Sequence, residues 1–106
     1  MILFLAAALV AWQGTYYVAK VESFGCTSIE EVTRLRSMRS DKEAFQTALL
    51  EKQVYGECVT ILKGTQVEGE IEATDGSILR VNGHIEPPGY EAPREDFEIM
   101  TQEVNT

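Results

Sequence analysis

CTSIEEVTRLRSMRSDKEAFQTALLEKQVYGEC (residues 26–58) is bounded by the only two cysteines of the chain, and its reading decides the architecture. Ser28-Ile29-Glu30-Glu31 forms a capping box. The Ser28 hydroxyl is placed to accept from the backbone amide three residues on, and Glu31 to reach back. Ile29, Val32, Leu35 and Met38 then recur at helical spacing as one apolar stripe. Ser40-Asp41-Lys42-Glu43 is a second capping box, so the first helix ends near Met38. The second helix carries Ala44, Phe45, Ala48 and Leu49 on one face, and Gly56 supplies its C-terminal stop. Two helices joined by a tight turn make a helical hairpin, whose ends come together. Cys26 and Cys58 flank those ends, within bridging range of each other. They allow one intramolecular disulfide; two buried free thiols are the alternative. Two cysteines and one histidine without a CxxC pair make no zinc pattern.

Downstream of the hairpin the pattern changes to β. Cys58-Val59-Thr60-Ile61-Leu62 reads as a strand and Lys63-Gly64-Thr65 as a turn. Gln66–Thr74 and Ser77–Asn82 are two further strands, with Asp75-Gly76 in the turn between them. A two-residue turn would set Ile71 opposite Arg80. A three-residue loop, Thr74-Asp75-Gly76 with Gly76 in the left-handed region, sets Ile71 opposite Leu79, Glu70 opposite Arg80 and Gly69 opposite Val81. The second register pairs apolar with apolar and charge with opposite charge, and is preferred. Asn82-Gly83 is another turn, and His84-Ile85-Glu86 a short last strand. Upstream, Thr15–Glu22 is aromatic and β-branched and alternates loosely, with Tyr17, Ala19 and Val21 on one side: a strand or extended arm.

The N-terminus, Met1 to Ala11, is a continuous apolar run, and Lys20 is the first charged residue. A helical span needs about 20 apolar residues, so this run has the length of a signal-peptide core. It lacks a basic flank, and its cleavage candidates, after Ala8 or Ala11, are imperfect. An uncleaved membrane anchor, with Trp12, Tyr16 and Tyr17 as interfacial aromatics, and a buried N-terminal element of a cytosolic domain are the alternatives. At the other end, all three prolines (Pro87, Pro88, Pro93) fall within an acidic segment. Residues 87–106 read as a Pro-rich acidic tail, extended and mobile at least to Pro93. Within it Phe97 and Ile99 alternate as a short strand that docks back on the sheet, with a helix as the alternative. Residues 12–86 then form a single α+β domain, small enough to be only marginally stable.

The formal net charge is −8, from 17 acidic and 9 basic residues. That disfavours nucleic acid and anionic membrane surfaces as partners, because both require a basic face. It permits a basic protein partner.

Phe24-Gly25-Cys26-Thr27-Ser28, Ala44-Phe45 and Gly56-Glu57-Cys58-Val59-Thr60-Ile61-Leu62-Lys63-Gly64-Thr65-Gln66-Val67 together resemble a group of small exported bacterial proteins of unknown function. In that group a Gly-Cys precedes a helical hairpin, and a second Gly-x-Cys opens a small SH3-like β-barrel. The resemblance covers roughly residues 15–82. It implies an SH3-like sheet, an export signal and a Cys26–Cys58 pair, and it implies no activity. The end of this chain departs from the pattern, since Ile85-Glu86 runs straight into Pro87-Pro88.

Candidate chemistry is sparse. His84 is the only histidine, so any Ser-His or Cys-His mechanism must use it, and a place beside the Asn82-Gly83 turn is ordinary for an exposed polar residue. Glu68, Glu70 and Glu72 alternate along one strand and share a face. Paired carboxylates serve acid–base work or Ca²⁺, but the solvated outer face of a half-buried sheet is the simpler reading. Gly64 and Gly69 read as turn and bulge residues; no phosphate-loop or dinucleotide pattern is present. Arg34, Arg36, Arg39 and Lys42 form a basic cluster in an otherwise acidic chain, with Arg34 placed to pair with Glu30. The cluster is a candidate interaction surface for an anionic partner or for the chain's own acidic tail; a solvated helix face is the alternative.

The expectation is an α+β fold, a helical hairpin packed on a small antiparallel SH3-like sheet or partly open barrel, without cofactor, metal or catalytic residues. The expected role is a non-enzymatic module of the periplasm or secreted space that binds a protein or cell-envelope component. The alternatives are an acidic inhibitor of a basic secreted hydrolase, and a membrane-tethered accessory subunit facing the oxidising side.

Overall fold

The computed structural model of the chain describes residues 15–82 and 89–100. The expectations for the N-terminal run, Trp12, His84, the strand at residues 84–86 and the Pro87-Pro88 pair lie outside those residues. In chain order the elements are β1 (Thr15–Ala19), β2 (Ser23–Cys26), α1 (Ile29–Ser37), α2 (Lys42–Val54), β3 (Cys58–Ile61), β4 (Gln66–Ile71), β5 (Ile78–Val81), β6 (Tyr90–Pro93), a 3-10 turn (Arg94–Asp96) and β7 (Phe97–Ile99). The class is α+β. All strand pairs are antiparallel, in one seven-stranded open sheet ordered β3-β2-β6-β5-β4-β1-β7.

The β4–β5 register is the one that the charge and apolar pattern favours: Gly69 faces Val81, Glu70 faces Arg80 and Ile71 faces Leu79. Its turn differs from expectation. Gly76 does not adopt a positive φ. Instead the Ser77 amide and hydroxyl both donate to the Asp75 carboxylate, at 3.0 and 2.7 Å. Gly69 is a close-approach residue rather than a bulge, since a Cβ there would lie 2.4 Å from the Arg80 carbonyl oxygen. Gly64, at φ 89°, turns the chain between β3 and β4.

Two strands were not expected, β2 and β6. Ser23-Phe24-Gly25-Cys26 pairs along its length with β3, and through Cys26 with Glu91 of β6. β6 lies inside the sheet between β2 and β5. The segment 90–99 is therefore part of the domain, which corrects the expectation of a mobile chain as far as Pro93 over residues 90–93 and the placing of the domain's end at residue 86. Pro93 is tolerated because it ends β6, past the point where β2 pairs with it. β7 docks on β1 as the Phe97/Ile99 alternation suggests.

Each face of the sheet has its own core. On one face Tyr17, Ala19, Ile61, Leu79, Val81, Ala92 and Phe97 cluster, with Val59, Val67 and Ile71 packed against them. Ile61 and Phe97 belong to opposite edge strands, so the sheet curves around this cluster. The other face carries Phe24, Cys26, Cys58 and Ile78, and α1 and α2 cover it with Val32, Leu35 and Leu49. Both helix starts are capped by side chains. The Glu31 amide donates to Ser28 Oγ at 3.1 Å as expected. At α2 the cap is Asp41, whose carboxylate accepts from the Ala44 amide at 3.1 Å, rather than Ser40. Gly56, at φ 75°, ends α2: the Gly56 amide donates to the Gln53 carbonyl and the Glu57 amide to the Lys52 carbonyl, a double closure that a left-handed residue permits.

Cys26 and Cys58 are disulfide-bonded. They are direct register partners on β2 and β3. The Thr27 amide donates to the Glu57 carbonyl beside them, which makes theirs a non-hydrogen-bonded pair, the closer of the two kinds in an antiparallel ladder.

Candidate functional site

The basic cluster, a candidate surface for an anionic partner or for the chain's own acidic tail, divides among several partners. Arg34 pairs with Glu31, one residue beyond the expected Glu30, at 2.5 Å. Arg36 donates to the Ser77 carbonyl at 2.6 Å and to Ser77 Oγ at 3.2 Å, and its Nε lies 3.1 Å from Glu95. Arg39 holds both oxygens of Asp96, at 3.1 and 2.5 Å. Lys42 makes no ion pair among the described residues. Two of the four cations thus lie against the chain's own acidic C-terminal segment, which was one of the two roles open to the cluster.

Asp96 is the centre of this contact. Its side chain is buried, and Ser23 Oγ also donates to it at 2.6 Å. The Arg39 guanidinium lies 5.1 Å from the Phe24 ring centroid and 5.7 Å from that of Phe45, and the two rings meet edge-on. Its charge is therefore held by a carboxylate and by two aromatic faces. The arrangement ties the α1–α2 connection, β2 and the 3-10 turn together.

Glu68, Glu70 and Glu72, the last of them just past the end of β4, do not form one solvated face. Glu72 is buried and accepts from Arg80, which also faces Glu91 at 3.6 Å. Glu72 and Glu91 together hold the Arg80 guanidinium above its usual value, Glu72 most strongly. Burial raises the Glu91 carboxyl above the ordinary carboxylate range, Arg80 pulls it back, and the neighbouring Glu72 charge adds to the rise. Lys52 sits between Glu57 at 3.2 Å and Glu31 at 3.7 Å. The Glu57 hydrogen bond, then the Glu31 charge, raise its ammonium above the usual value. The Asp75 carboxyl is lowered by the two Ser77 hydrogen bonds.

Five of the nine basic residues, Arg34, Arg36, Arg39, Lys52 and Arg80, pair with carboxylates of the chain itself, while several large apolar side chains stand in solvent. Leu50 is 61% exposed, Val54 75%, Tyr55 70% and Leu62 64%. Leu50 and Val54 are one turn apart on α2, on the side away from the Phe45/Leu49 core stripe. Beside them runs an open groove of about 530 Å³, lined by Met38, Asp41, Glu43, Ala44, Thr47, Ala48 and Glu51. A smaller groove, of about 270 Å³, borders the other side of α2, where Arg39 and Lys42 meet Glu22, Ser23 and Phe45. Sequence reasoning passed over Leu50 and Val54. The signal was present: two apolar residues four apart, outside the stripe that the core uses.

Among the described residues no group of three or more His, Cys, Asp or Glu is placed to hold a metal ion. No helix of the described residues is long and apolar enough to cross a membrane. No family model, curated protein or solved structure matches the chain.

Proposed function

We propose that this chain is an exported, non-catalytic binding module that works through the outer side of α2. The observation that carries the reading is the contrast on the surface. Arg36, Arg39 and Arg80 are committed to internal carboxylates, whereas Leu50, Val54 and Tyr55 stand in solvent. Large apolar side chains grouped on the surface of a small domain mark an interaction site. The Cys26–Cys58 bond fits an oxidising compartment, and with the apolar opening of the sequence it supports the periplasm or secreted space. The likeness to small exported proteins with a helical hairpin and an SH3-like barrel is part of the same reading: the curved sheet with two helices over one face agrees with it in outline.

The test is a photo-crosslinking residue placed in turn at Leu50, Tyr55 and Leu62 in the full chain, expressed in its native host. A discrete cross-linked species in the exported fraction is the expected outcome. A chain retained in the cytosol, or one that gives no cross-link at Leu50, Tyr55 or Leu62, overturns the reading.

A further inference from the structure

We infer that the groove and apolar ridge along α2 receive a basic amphipathic segment of another protein, which places an apolar side chain against Ala44 and Ala48 and cationic side chains on Asp41, Glu43 and Glu51. This rests on the binding-module reading and names the chemistry of its partner.

The groove is shallow and wide open, and it brings the partly buried Met38, Ala44 and Ala48 together with the exposed Asp41, Glu43 and Glu51. Met38, Ala44 and Ala48 are partly buried and small or flexible, so they leave room for an incoming side chain. Met in particular adapts its shape to what it meets. Asp41, Glu43 and Glu51 are exposed, and no cation lines the groove. Asp41 spends one oxygen on the Ala44 amide. Glu43 and Glu51 have no ion-pair partner among the described residues. Of the neighbouring basic residues, Lys52 is held by Glu57 and Glu31, Arg34 is paired with Glu31 and reaches the groove residues only at Met38 Sδ, 3.8 Å away, and Arg39 and Lys42 line the groove on the other side of the helix. The two sides of α2 therefore differ in sign.

Helical geometry continues the surface. Thr47 lies three residues before Leu50 and Glu51 three before Val54, so the rim merges into the exposed ridge. A partner covering both buries Leu50 and Val54 and neutralises up to three carboxylates. Charge selects among occupants. An anionic lipid surface and a second copy of this chain, at net charge −8, both set like charge against this rim. A basic protein segment with an apolar face matches both features.

The experiment uses the full oxidised chain and three synthetic helical peptides: a Lys/Leu amphipathic peptide, its Glu/Leu counterpart and a Lys/Ser peptide without an apolar face. Binding is measured by titration calorimetry and mapped by NMR shifts. The Lys/Leu peptide is expected to bind best, with shifts at Ala44, Thr47, Ala48 and Glu51. Leu50→Ser with Val54→Ser should weaken it at least about tenfold. Glu43→Gln with Glu51→Gln should weaken it about three- to tenfold at low salt and flatten its salt dependence. Glu98→Gln, on the far edge strand, should leave it unchanged. All four side chains replaced at the site are exposed, so unchanged circular dichroism and melting certify the variants. Equal binding of the Glu/Leu peptide, shifts confined to other faces, or full retention of affinity in both double variants overturns the inference. So does a concentration-dependent dimer abolished by Leu50→Ser with Val54→Ser, which would name a second copy as the occupant. A Tyr55 cross-link that persists alongside any of these results leaves the binding-module reading standing; loss of both removes both.

Discussion

Asp96 accepts from Ser23 and from both terminal nitrogens of Arg39, and those partners lie 73 and 57 residues away in sequence. A buried carboxylate so held costs much to break, because removing it strands the cation. Asp96→Asn keeps the shape and removes the charge. It should lower stability by about 2–4 kcal/mol in urea unfolding of the oxidised protein, the lower end reflecting Arg39's partial exposure. Glu91 predicts the opposite sign. Its carboxyl is raised by burial, so the folded state binds that proton more tightly than the unfolded chain does. Its contribution to stability is complete at acid pH, below the unfolded value, and is lost as pH rises through the folded one. Glu91→Gln imitates the protonated form. It should stabilise the protein at pH 7, and the gain should disappear below about pH 4. Paired unfolding curves of the two proteins across pH 3–8 check this. Neither residue stood out in the sequence. The signs of Arg39 and Asp96 were readable, but a pairing across 57 positions is set by the sheet topology and not by local spacing.

At the scale of elements, what was legible was local. The α1 stripe, its Ser28 cap, the Gly56 stop and the β4–β5 register all follow from residues within one turn or one hairpin of each other. The cap of α2 shows the limit: Ser40 and Asp41 are adjacent capping residues, and the structure uses the second. Asp41→Ala should cost about 1 kcal/mol and Ser40→Ala far less, as read by thermal melting of each variant. β2 escaped notice because four residues, one of them glycine, cannot establish an alternation. β6 escaped because prolines on both sides of Tyr90-Glu91-Ala92 signal a break. Its strand character comes from its neighbours, which supply register partners on both sides. The candidate site divides in the same way. The basic cluster was conspicuous and proves to be mostly internal; Leu50 and Val54 were inconspicuous and stand in solvent.

At the scale of the molecule, the disulfide joins residues separated by 32 positions. In the chain-entropy account, closing such a loop stabilises the fold by about 3–4 kcal/mol, a large share of the roughly 5–15 kcal/mol typical of a domain. Cys26→Ala with Cys58→Ala should shift the urea midpoint accordingly, and wild type in strong reductant should approach the same curve. Both helices lie within the stretch that the bridge closes, so residues 26–58 and the sulfur–sulfur bond form a covalent ring. A protease that cuts once inside that ring, at the exposed Ser40 turn for instance, separates nothing. The two fragments remain one molecule of nearly unchanged mass, and the wound becomes visible only on reduction. A single cut between Leu62 and Val81 has no such safeguard. Under a single proteolytic cut, the part of this protein that carries α2 is the part that stays covalently whole.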